Sequence, residues 1–281
     1  MRQMITARLQ RSWDLRAAGN FIGGGAGTGL VLAATVATLS TGADLRLILL
    51  AGLVLIGLGL AMVWLEIGKP WRALNVFFHP QTSWMTREGI VAGPLMAAGG
   101  AYWLFGHPLL LLPAAGLAAG FLYCQSRILK ASRGIPAWKQ AEIVPLIIAT
   151  GLAEGAGLLA LLAEPTPVVL AWALAAGLAR EAAWVLYRRG LVASGAASGA
   201  LGIFASPPAQ AARWAQWLAL ALWVAALAGL PVAPLAGLLA AVSGWAIKAL
   251  LITRAAFTRG ASVPHAPVRG RGLPMALGGR S

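Results

Sequence analysis

Apolar residues run almost unbroken through long stretches of the chain, and polar residues gather in short clusters between them. A helix rising ~1.5 Å per residue needs about twenty residues to cross a ~30 Å hydrocarbon core. Apolar stretches of that order fall at 20–40, 46–65, 88–105, 109–129, 143–162, 167–187, 214–230 and 232–253. The pattern predicts an all-α polytopic membrane protein with eight transmembrane helices, the last two joined only by the turn "GLPVAP". No internal repeat is visible in the letters. Residues 1–19 read as a basic arm, 20–254 as the eight-helix membrane domain and 255–281 as a basic, Pro/Gly-rich tail that is extended and poorly ordered.

Composition agrees with the pattern. Of 281 residues, 59% are hydrophobic and 11% charged, and the mean hydropathy is +0.77, outside the range of soluble globular domains. Charge adds an orientation. With eight spans, the arm, the tail and the loops after the second, fourth and sixth helices hold nearly all the lysines and arginines, and the other side receives Arg46 alone. The positive-inside rule then puts both termini and the long loops in the cytoplasm, in a bacterial inner membrane. The net charge of +14 follows from that rule and from attraction to anionic lipid rather than from nucleic-acid binding. The first residues lack an apolar h-region and cleavage site, so the arm is read as retained.

Candidate chemistry is confined to few residues. A single cysteine, Cys124, provides no disulfide framework, iron–sulfur cluster or zinc site. His79, His107 and His265 all lie outside the apolar spans, which argues against haem held between helices. No metal site is expected in this chain. Charges inside or at the ends of spans are costly and informative: Glu66, Glu154, the Arg180 and Glu181 pair, and Lys248. One reading makes them structural ion pairs, Glu66 with Lys69 and Glu181 with Arg180 or Lys248. Glu154 has no sequence-local partner and lies among glycines. A second reading makes Glu154, Glu181 and Lys248 a proton path, or, with Arg180, the coupling residues of a secondary transporter.

The stretch "EIGKPWRALNVFFHPQTSWMTRE", 66–88, carries the densest signal. Gly68 and Pro70 stop the helix there, and Trp71 and Trp84 suit the membrane interface. A positive-inside loop has no need of Glu66 and Glu88, however. Two carboxylates flanked by Arg72 and Arg87 at a bundle rim suit a quinone, whose chemistry moves electrons and protons together; a purely structural rim is the competing reading.

The order "EIGKPWRA", then "SWMTRE" opening the next helix, then Arg127, "PAW" (Pro136, Trp138) and Pro145, resembles the membrane anchors of dimethyl sulfoxide and polysulfide reductases, the NrfD-like superfamily. The likeness covers about residues 20–190. It implies an anchor without haem that binds ubiquinone or menaquinone. Its partners would be a four-cluster, ferredoxin-like iron–sulfur subunit and a catalytic subunit with a molybdenum or tungsten bis-pterin. Carried over by position, the quinone site would comprise Glu66 and Glu88 as acids with Arg72, Ser83, Trp84, Arg87, Arg127 and Trp138 around them. Glu66 stands where those anchors usually have histidine. With the motif loops on the basic side, the chain is most similar to cytoplasm-facing anchors of phenylacetyl-CoA:acceptor oxidoreductase or sulfite dehydrogenase type, which reduce quinone.

Overall fold

The computed structural model describes residues 2–66, 70–259 and 261–263, and the side chains of residues 6–65 and 74–259. The described residues form ten α-helices: α1 (Leu15–Thr41), α2 (Arg46–Glu66), α3 (Trp84–Phe105), α4 (Leu111–Ala131), α5 (Pro136–Lys139), α6 (Ile143–Leu162), α7 (Pro167–Ala193), α8 (Ser198–Phe204), α9 (Pro207–Leu227) and α10 (Ala233–Thr253). A 3-10 segment, Pro70–Phe78, fills much of the connection between α2 and α3.

Helix starts follow local chemistry. The sequence "DLR" occurs twice, and each time the aspartate accepts from the arginine N–H two residues on: Asp14 Oδ1 from Arg16 at 2.7 Å, before α1, and Asp44 Oδ1 from Arg46 at 3.1 Å, before α2. Ser83 caps α3 by accepting from the Thr86 N–H at 3.2 Å. Gly42 and Gly106, with φ of 72° and 65°, end α1 and α3 in the left-handed conformation that suits glycine.

Among the described residues, six helices are long and apolar enough to cross a membrane: α1, α2, α4, α6, α7 and α10. The eight spans expected from the sequence are therefore reduced to six by this criterion. The other two, α3 and α9, have 22 and 21 residues, but Arg87 and Glu88 in the one and Gln210, Arg213 and Gln216 in the other make them more polar. At ~1.5 Å per residue they too are just over 30 Å long.

The packing divides the helices into two four-helix units, α1–α4 and α6, α7, α9 and α10. In each unit the first helix lies along the second and the fourth, the third lies along the fourth, and the second and third meet more loosely. This repetition of neighbours is invisible in the residues themselves. The units join where α1 crosses α6, each presenting glycines four residues apart: Gly25 and Gly29 against Gly151 and Gly155. A Cβ on Gly29 or Gly155 would fall within 3.0 Å of the partner backbone, so small residues set the distance of approach. Contacts pair Gly25 with Gly151 and Gly29 with Gly155, so the two helices run in the same direction.

The ends of the chain meet at the basic end of the bundle. Strand β1 (Arg2–Ile5) pairs antiparallel with β2 (Ala261–Val263), Leu9 bridges Phe257, and Thr258 N donates to Arg8 O at 2.8 Å. Ala255 and Ala256 are fully buried. The first residues of the tail expected from residue 255 are tied to the N-terminal arm by backbone pairing and a buried alanine pair. Residues 264–281 lie outside the described residues.

Candidate functional site

An apolar cavity of about 510 Å³ opens between α2 and α3 toward the basic end. Gly57, Leu60, Val63 and Trp64 of α2 form one wall, Gly89, Ala92 and Gly93 of α3 the other, and Val76 and Phe77 of the 3-10 segment close the end. Its size falls within the range of small-molecule sites. Among the described residues that line it, Glu88 is the one charged side chain. Glu88 lies in the second turn of α3, five residues past the Ser83 cap; Thr86, in the first turn, donates its hydroxyl to the Val76 carbonyl. That bond ties the 3-10 segment to α3.

Glu88 is 4% exposed and makes no ion pair among the described residues. Gln125 Nε2, from α4, donates to the Asn20 carbonyl at 3.0 Å and reaches Glu88 Oε1 at 3.5 Å, and the Asn20 side chain lies close to the same carboxyl. Asn20 also lines a smaller cavity of about 240 Å³ with Trp13, Phe21 and Ile128, which shares Val63 and Met85 with the larger one. A carboxyl against two amides and an apolar wall can hold or release a proton at the cavity surface without a permanent counter-charge. Sequence reasoning missed Asn20 and Gln125; the signal was an amide in each of two otherwise apolar runs, "GNFIGGG" and "FLYCQSR".

The other residues predicted for this site are divided between different tasks. Arg87 and Arg127 stack on Trp84, their guanidinium carbons 4.2 and 4.5 Å from the ring centre. Arg87 also donates to the carbonyls of Pro80 and Gln81, at 2.7 and 3.0 Å, and Arg127 to the Tyr123 hydroxyl at 2.8 Å. This cationic stack stands beside the cavity without lining it. Trp138 is buried farther off, donating to the Leu251 carbonyl at 3.0 Å and packed 4.8 Å from Trp13. Ser83 is spent on the helix cap. The side chains of Glu66 and Arg72, and all of Gly68 and Lys69, lie outside the described residues, and so does the expected pairing of Glu66 with Lys69.

The buried charges of the second unit pair differently from the sequence reading. Lys248 Nζ binds Glu154 Oε2 at 2.6 Å and the Phe21 carbonyl at 2.9 Å, both side chains essentially inaccessible. Gly25 and Gly244 leave the room: a Cβ on the first would meet Lys248 and on the second Glu154, each within 3.0 Å. Glu181 pairs with neither Arg180 nor Lys248 but with Arg213 of α9, at 2.5 Å. Arg180 instead donates to Gln216, Ser243 and the Ala240 carbonyl, at 2.7, 3.0 and 3.1 Å. These partners were illegible because each depends on which helices adjoin, not on spacing along one of them.

Gln125 and Lys248 converge on Gly25 from two helices, Gln125 Oε1 lying 3.5 Å from the point where a Cβ would stand. Gln125 therefore stands between Glu88 and the Glu154–Lys248 pair. Among buried atoms without a hydrogen-bond partner are Asn20 Oδ1, Gln125 Oε1 and Glu154 Oε1, three acceptors along this one track. Comparison with known protein families and with curated proteins finds no match for the chain.

Proposed function

We propose that the chain is a quinone-reactive membrane anchor of an iron–sulfur molybdoenzyme complex. The carrying observation is the Glu88 carboxyl, buried, without an ion pair among the described residues, in the wall of an apolar cavity between α2 and α3. Quinone reduction takes up two electrons and two protons. In this reading an isoprenoid quinone enters between the helices from the lipid, its carbonyl meets Glu88, and Glu88 passes a proton to the reduced oxygen. Asn20 and Gln125 orient the carboxyl. Electrons arrive from a partner subunit's iron–sulfur cluster, docked at the basic end beside Arg87 and Arg127.

The finer topology belongs to the same proposal. All eight long helices span a bacterial inner membrane, and the basic end with both termini faces the cytoplasm, as the distribution of arginine and lysine supports. The complex resembles those with NrfD-like anchors, with a molybdenum or tungsten catalytic subunit beyond the iron–sulfur chain. Gln125 leads inward to the Glu154–Lys248 pair, which forms the interior end of a proton path; Glu181, tied to Arg213, stands apart from it.

The test is Glu88→Gln in the purified complex. Subunit composition should be unchanged while quinone turnover falls by ~10²-fold or more, the usual worth of a positioned acid. Normal turnover in an intact complex would reject the site. A secondary transporter is the alternative, favoured by the ion pair buried near the seam of two similar units. Against it, none of the cavities described above is lined by Glu154 or Lys248. Substrate-driven proton uptake into liposomes by the chain alone would support the transporter and remove the anchor reading.

A further inference from the structure

The two four-helix units invite a comparison of their clefts. The first unit's cavity lies between its second and third helices, α2 and α3. The corresponding helices of the second unit are α7 and α9; the cavity they border, lined also by Leu146 of α6 and Ile247 of α10, is only about 10 Å³, room for about one water molecule. The residues around it repeat the open cavity's pattern. Counted from the first residues of α2 and α7, Glu181 and Trp184 fall where Leu60 and Val63 stand. On α9, Ala212, Arg213 and Gln216 repeat the spacing of Glu88, Gly89 and Ala92 on α3, one residue farther from the serine that precedes each helix.

Two of these exchanges fill the space. Arg213 occupies the position of Gly89, and Glu181 that of Leu60, and the two bind each other at 2.5 Å across the cleft. The Arg213 guanidinium lies 5.0 Å from the Trp217 ring and 6.0 Å from that of Trp184, so the long side chain is packed on aromatic faces as well as paired. A third exchange removes the chemistry: Ala212 stands where Glu88 supplies the carboxyl.

We infer that the α7/α9 cleft is a sealed counterpart of the α2/α3 cavity, a site for the same class of isoprenoid or acyl chain, shut by the Glu181–Arg213 pair. The pair closes this cleft, whereas the α2/α3 cavity stands open. The class of the headgroup rests on the quinone reading; the plugged cleft does not. Removing one partner alone would leave a half-buried charge in the cleft, so the plug must be withdrawn as a pair.

The experiment uses the full chain in lipid nanodiscs, as parent, as Glu181→Leu/Arg213→Ala, and with Ala212→Glu added to supply the carboxyl. Cryo-electron microscopy reads whether an acyl chain enters between α7 and α9, and titration with decylubiquinone reads stoichiometry. A chain in the opened cleft, with stoichiometry rising from one to two on adding Ala212→Glu, is the expected result. A parent that binds one quinone, with variants that still bind one and keep the cleft empty, would overturn the inference and leave the quinone reading standing. A parent that binds none, with an acyl chain seated in the opened cleft, would do the reverse. An empty cleft and no quinone bound in any protein would reject both. A variant that loses its thermal transition is replaced by Glu181→Ala/Arg213→Ala, and its cleft is read in the same way: an acyl chain seated there supports the seal, and an empty cleft overturns it.

Discussion

Lys248 and Glu154 illustrate how a buried charge is made tolerable. Each is desolvated by its surroundings; Lys248 donates to Glu154 and to the Phe21 carbonyl, and Glu154 is held through its Oε2 alone. Lys248→Met alone should destabilise the protein by about 3–5 kcal/mol, because it strands a buried carboxylate. Lys248→Met with Glu154→Met should cost much less, since apolar side chains of similar volume replace the pair without an orphan charge. Thermal unfolding in detergent of the two single variants and the double variant measures the difference; equal losses in all three would reject the account. The pair was unreadable in the sequence because its members are 94 residues apart, on helices whose adjacency no periodicity encodes. Glu88 was legible, as an acid at the opening of a span; its two amide neighbours required the fold.

At the scale of elements, the apolar spans were read well and the polar turns attached to them were not. Helices α2, α6 and α10 run close to the predicted 46–65, 143–162 and 232–253. Helix α1 starts at Leu15 rather than 20, α3 at Trp84 rather than 88 and α9 at Pro207 rather than 214. In each case the additional turns carry polar residues held by a cap or by the bundle, where hydropathy is a poor guide to helicity. The α1–α6 crossing shows the opposite dependence, on having no side chain at all. Gly29→Val or Gly155→Val should separate the two units, because the added atoms meet partner backbone rather than a movable side chain. Size-exclusion chromatography should then show loss of the monodisperse species, whereas Gly57→Ala, which meets nothing within 4 Å, should leave it unchanged. The "DLR" caps carry a pH signature. Arg16 and Arg46 hold the Asp14 and Asp44 carboxyls below the ordinary carboxylate range. Their contribution is therefore complete at neutral pH and disappears as pH falls below that range. Hydrogen exchange in the first turns of α1 and α2 should be constant from about pH 7 to about pH 5, after correction for intrinsic rates, and lose protection only near or below about pH 3.

Across the whole molecule, the open α2/α3 cleft and one strongly basic end give the bundle a direction that its hydropathy alone does not have. In a Cys124→Ser background, a cysteine introduced as Asp44→Cys should react with an impermeant maleimide on intact cells. One introduced as Lys130→Cys should react only after permeabilisation; the reverse pattern would invert the proposed orientation. The ribbon at the basic end has a consequence for assembly in time. Strand β1 precedes every helix and β2 follows them all, so the ribbon cannot close until the intervening chain has been synthesised and brought back to one side. A surface completed last in this way withholds itself from any docking protein until the helices behind it are in place.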